Sequence, residues 1–176
     1  MSKYVKQVIS FILLLGFQIV VLNKVCLWGV VTPMVYIVFI FSLPFDTPKW
    51  LVVLLGFLCG FTVDIFFGVL GFHALATLTV AFLRAGIIQL IPLHIEREEH
   101  LLPIFYDMKF IWYFQYAFYL ILIHHFVYYF ADMLSFQNFG KLMLIVLANT
   151  LCSLLCVFLI QILTYRPSKR YLFLDK

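Results

Sequence analysis

The sequence predicts an all-α membrane protein, one domain of six transmembrane helices, and three observations predict it. Hydrophobic residues make up 65% of the chain and charged residues only 11%, whereas a soluble domain is about half apolar and a quarter charged. Phe occurs 21 times in 176 residues, more than a soluble domain of this size can hide beneath a polar surface. Charged residues also cut the chain into six apolar runs, and a helical crossing needs roughly 20 such residues. Spanning structures are limited to helices and closed barrels, and barrel strands alternate polar with apolar residues. No such alternation is present.

The first run, 7–23, lies between Lys6 and Lys24 and is just long enough to cross. Lys3 and Lys6 precede it as in a signal peptide, but no small-residue cleavage pattern follows, so it reads as an uncleaved first span. The second span is expected at 27–45, with Pro33 near its start, where a first helical turn has no use for the missing N–H. The third, 50–70, contains Asp64, and the fourth, 72–93, contains Arg84. The fifth, 110–131, carries His124 and His125, and the sixth occupies 142–165. Six helices of this length use roughly 120 residues, which leaves loops and tails but no room for a soluble catalytic domain.

Orientation follows from Lys and Arg. Lys3, Lys6, Lys49, Arg97, Lys109, Arg166, Lys169, Arg170 and Lys176 share one side, against Lys24 and Lys141 on the other. The positive-inside rule then places both ends in the cytoplasm. The same flanking positions explain the net charge of +4 without nucleic acid. The longest connection, His94 to Lys109, combines Glu96, Arg97, Glu98 and Glu99 with Leu101, Leu102, Ile104 and Phe105. It reads as a solvated loop, or as a segment lying on the membrane surface or docking a partner.

The intramembrane polar residues are the candidate determinants of the bundle. A charge at mid-bilayer costs about 2.5–3.5 kcal/mol on insertion scales, so Asp64 and Arg84 are expected to face the interior or find partners. They lie on consecutive antiparallel spans at depths that differ by roughly 9 Å at 1.5 Å per residue. Direct pairing and snorkelling of Arg84 both remain open. Gly56, Gly60 and Asp64 recur at spacing four, a small-residue face that lets helices approach closely. His124 and His125 point about 100° apart on a helix and cannot ligate one metal in the usual i, i+4 manner; hydrogen bonding between helices or to the headgroup zone is expected instead. Asn149, Cys152, Ser153 and Cys156 form a small, mildly polar stripe that reads as a packing face. The four cysteines, Cys26 included, show no zinc-site spacing, and no cofactor or metal site is expected. No nucleophile–base constellation or phosphate loop is present, and a membrane enzyme would rest on scattered His and acidic residues alone.

Several strings together resemble MreD, the rod shape-determining membrane protein family, in the form found in Bacteroidetes-type bacteria. They are Leu43-Pro44-Phe45-Asp46-Thr47-Pro48-Lys49-Trp50; Gly56, Gly60 and Asp64 continuing through Gly71-Phe72-His73-Ala74 to Ala81-Phe82-Leu83-Arg84; His124-His125; and Tyr165-Arg166. The middle string is the most specific, and the likeness covers nearly the whole chain. It implies a non-enzymatic inner-membrane component of the cell-elongation machinery, without cofactor. The implied partner is MreC, a single-span coiled-coil protein, within an assembly that includes MreB, RodA and a penicillin-binding transpeptidase. It also implies a fold similar to the membrane substrate-binding subunits of energy-coupling-factor transporters. A vitamin-type transporter subunit is therefore the alternative, on fold analogy and on Asp64 and Arg84 lying within the membrane.

Overall fold

The computed structural model describes residues 3–69, 71–92, 102–134 and 138–164. The charged run 96–99, Leu101 and the closing Tyr165-Arg166 lie outside the described residues. Among the described residues the helices are α1 (Lys3–Val20), α2 (Val38–Phe41), α3 (Lys49–Phe67), α4 (Phe72–Leu90), α5 (Phe110–Met133) and α6 (Phe139–Thr164), with a 3-10 turn at Leu22–Lys24. Helix α3 packs on α4, α4 on α5 and α5 on α6.

Among the described residues four helices, α3 to α6, are long and apolar enough to cross a membrane, and the apolar helical stretch Val8–Lys24 is shorter. The outward faces of the long helices are continuous apolar stripes. On α3 the exposed residues are Leu54, Phe57, Leu58, Phe61, Ile65 and Phe66, and α6 exposes Leu144, Leu147, Leu151, Leu155 and Leu159. Water tolerates isolated exposed apolar residues but not stripes that run the length of a helix. The chain is a helical membrane protein.

The second expected span is not a helix. Of 27–45, only Val38–Phe41 is α-helical. Before it the chain makes a tight turn, bridged by Leu27 and Val31, in which Trp28 and Gly29 take positive φ of 50° and 73°. It then runs irregularly through the bundle, and every residue from Pro33 to Phe41 is buried. The physical reason lies in the local sequence. Pro33 does not open a helix; it withholds an N–H and biases Thr32 toward extended backbone. Val30, Val31, Val35, Ile37, Val38 and Ile40 are β-branched, with stiff χ1 angles that favour extended chain. Uniform apolarity reflected burial on all sides rather than a lipid-facing helix.

The α3–α4 hairpin is the best-defined unit. Gly68 ends α3 in the left-handed conformation at φ 68°, and Gly71 precedes α4 at φ 79°, both positions that glycine occupies without steric cost. Gly56 and Gly60 lie where the two helices touch. A Cβ at Gly56 would sit 2.7 Å from the Ala81 Cβ, and one at Gly60 would sit 2.6 Å from the Ala74 Cα and also strike the His73 carbonyl. The described half of the long connection folds back onto the bundle. Ile104 and Met108 are buried, the Phe105 ring packs edge-on to Phe158 at 5.5 Å, and Gln161 Oε1 accepts the Phe105 N–H at 2.8 Å.

Backbone atoms oppose any side chain at Gly60, so relaxation has to separate the helices. Gly60→Ala is expected to destabilise the protein by about 1–3 kcal/mol, the usual cost of overpacking, whereas Gly86→Ala, with nothing within 4 Å, is expected to be neutral. Melting in mild detergent compares the two.

Candidate functional site

Hydrogen bonds from surrounding helices organise the buried polar residues around the irregular 25–48 stretch. Gln18 of α1 clamps it from one side. Its Oε1 accepts the Val35 N–H at 2.8 Å, and its Nε2 donates to the Pro33 carbonyl at 3.1 Å. From α6, Asn149 Oδ1 accepts the Thr32 N–H at 2.8 Å while its Nδ2 donates to the Val30 carbonyl at 3.0 Å. One turn further, Ser153 Oγ accepts the Met34 N–H at 2.9 Å. Side chains from α1 and α6 thus replace the partners that a helix would have provided internally.

At the other end of the stretch, Arg84 performs the complementary task. It is 4% exposed. Its Nη2 donates to the Leu43 and Pro44 carbonyls and its Nε to the Tyr116 hydroxyl at 3.0 Å. Tyr116 in turn donates to the Phe41 carbonyl at 3.1 Å. A planar guanidinium can serve several acceptors at once from one fixed fork. Here it gathers three carbonyls, directly or through Tyr116, where the chain leaves α2.

Asp64 has different partners altogether. One carboxylate oxygen accepts the His73 N–H at 3.0 Å and lies 2.8 Å from the His73 Nδ1; the other accepts the Ala74 N–H at 2.8 Å. Asp64 therefore caps the first turn of α4 from the neighbouring helix. The orphan N–H groups of a helix start and its positive dipole end both favour a carboxylate there. Asp64 and Arg84 are satisfied separately and do not pair. Asp64 sits at the His73 end of the α4 face that carries His73, Thr77, Val80, Ala81 and Arg84; His73 and Arg84 are eleven residues, or about 16 Å, apart on α4.

Three buried histidines tie these elements together, and His73 belongs to the Asp64 centre itself. His73 stacks between Phe67, at 4.8 Å, and Tyr128, at 4.5 Å. His124 Nε2 meets the Tyr36 hydroxyl at 2.8 Å, and His125 Nε2 meets Ser153 Oγ at 3.0 Å. His124 thus ties α5 to the irregular stretch, and His125 ties α5 to α6. All three rings are fully buried, and His73 Nε2, His124 Nδ1 and His125 Nδ1 have no hydrogen-bond partner among the described residues. No group of three His, Cys, Asp or Glu could hold a metal ion among those residues.

The sequence reading singled out Asp64, Arg84, His73, Gly56, Gly60, His124 and His125, and the structure buries all seven. It missed Gln18, Tyr36 and Tyr116, and it took Asn149 and Ser153 for packing alone. A signal for them existed. A carboxamide within an apolar run needs a partner, and Pro33 marks a backbone that supplies one. Comparison with protein-family models, curated proteins and solved structures gave no match for this chain.

Two outcomes follow. Gln18→Leu strands a buried N–H and a buried carbonyl, each worth about 1–3 kcal/mol when left unsatisfied. It is expected to lower the melting temperature markedly more than Leu13→Ala on the exposed face of α1, as thermal melting of both variants checks. Asp64→Leu removes the α4 cap and the His73 partner, whereas Asp64→Asn keeps one acceptor oxygen. Leu is therefore expected to be the more destabilising, by about 1–2 kcal/mol for the cap alone; equal melting temperatures would refute the capping role.

Proposed function

We propose that this chain is an MreD-type, non-enzymatic component of the bacterial cell-elongation machinery, seated in the inner membrane with six passes and both ends in the cytoplasm. In this reading the 25–48 stretch is the second pass, made mostly of irregular backbone. The protein as a whole binds MreC and joins the RodA, transpeptidase and MreB assembly that lays down lateral peptidoglycan. The observation that carries the reading is the string from Gly56 to Arg84. Its residues form one continuous internal device: the glycines bring α3 onto α4, Asp64 caps α4 beside His73, and Arg84 fixes the chain before α3. A device of this kind makes a rigid intramembrane body, and a rigid body is what a scaffold requires. Its lipid-facing stripes leave ample surface for a single-span partner.

A second reading, a membrane substrate-binding subunit of a vitamin-type transporter, is favoured by one observation, a cavity of about 350 Å³ open at the end that carries the α3–α4 turn.

Purification from native membranes in mild detergent separates them. A single-span coiled-coil protein is expected to co-purify with the tagged chain. Repeated recovery of the chain alone, together with a vitamin that raises its melting temperature, would instead establish the transporter reading.

A further inference from the structure

The open cavity lies between the 26–34 stretch, the last turns of α5 and the first turns of α6. Its volume of about 350 Å³ falls in the range of small-molecule sites, which begins near ~300 Å³. Its floor is apolar, with Met34, Phe67 and Ile145. Its polar side is Tyr128, Tyr129, Asp132 and Lys141.

Helix geometry explains this grouping. Tyr128 and Asp132 are four residues apart on α5 and share a face. The Tyr128 and Tyr129 rings stand at 88° with centroids 5.0 Å apart, forming an aromatic corner. The corner is held from behind, because Tyr128 packs on His73 at 4.5 Å and Tyr129 stacks on His125 at 6.1 Å. The buried histidines are thus its foundation. The Asp132 carboxylate is near enough to both phenols for its charge to act on them. Lys141 enters from α6 across the turn. Asp132 and Lys141 are both exposed, and neither takes part in an ion pair among the described residues.

A carboxylate beside two phenols is a seat for a cation, because its charge and the phenol oxygens attract an ammonium group and the nearby rings add to that attraction. An ammonium side chain near the start of α6 is a seat for an anion. The cavity therefore offers one place for each sign above an apolar floor. We propose that it binds a zwitterion, with a primary ammonium in the Tyr128–Tyr129 corner against Asp132 and a phosphate on Lys141. Two sources carry this chemistry: the headgroup of phosphatidylethanolamine in the bilayer, and free glycerophosphoethanolamine. The site does not rest on the elongation-complex reading, since partner recovery and ligand binding are separate measurements and either can fail without the other.

The test is thermal melting of the full chain in detergent, titrated with phosphatidylethanolamine, N-acetylated phosphatidylethanolamine, phosphatidylglycerol and glycerophosphoethanolamine. Phosphatidylethanolamine is expected to raise the melting temperature, and the acetylated lipid and phosphatidylglycerol are not. A rise with glycerophosphoethanolamine as well assigns the site to a soluble ligand, and a rise with the intact lipid alone assigns it to the membrane. Asp132→Asn and Lys141→Gln are each expected to weaken binding at least tenfold while leaving the ligand-free protein as stable as before. Equal shifts from the native and acetylated lipids, or no shift from any ethanolamine ligand, would overturn the proposal. The lipid comparison needs no variant, so it decides the matter even if a substitution disturbs folding.

Discussion

Backbone amides in the interior of a membrane protein have no water to fall back on, and an unpaired one costs several kcal/mol. Most of this bundle meets the constraint with helices. The 25–48 stretch does not, and the placement of polar side chains follows from that departure. Gln18 and Asn149 each present both a donor and an acceptor, and each serves one N–H and one carbonyl of the stretch. Ser153 adds an acceptor, while Arg84 and Tyr116 add donors. These groups would be costly in lipid taken singly. Together they supply partners to backbone groups that the stretch, with only its few local turn and helix bonds, leaves open.

The Asp64 cap solves a related problem on the α3–α4 hairpin. The turn there is too short for α4 to bring its own capping residue, because Gly71 occupies the N-cap position and has no side chain. The carboxylate comes from one turn back on α3 instead, which requires the two helices to touch. Gly56 and Gly60 allow that contact. Close approach and remote capping are one arrangement, and the spacing of four between Gly56, Gly60 and Asp64 expresses it along the chain.

Hydropathy located α3 to α6 to within three residues at each end, because long apolar runs bounded by charge have few other outcomes in lipid. It failed at 27–45 for a definite reason. Hydropathy measures what surrounds a side chain, and a segment buried on every side is as apolar as one facing lipid. Backbone conformation was written elsewhere, in Pro33, in the β-branched run, and in the carboxamides of Gln18 and Asn149 on other helices. The partners of Asp64 and Arg84 were hidden likewise. Reading both as charges in search of an opposite overlooked the backbone, which offers N–H groups at a helix start and carbonyls along an unwound chain.

The irregular stretch also sets an order of assembly. Thr32 and Met34 bond to side chains 117 and 119 residues further along the sequence. When the ribosome has delivered the first 50 residues, none of α4, α5 or α6 exists to receive them. A conventional span can settle in lipid as soon as it emerges, since its hydrogen bonds are internal. This stretch has no such internal set, and its bonds to Asn149 and Ser153 require α6 to be present. The native form of the second segment is thus among the last parts of the molecule to be made, although it is among the first to be translated.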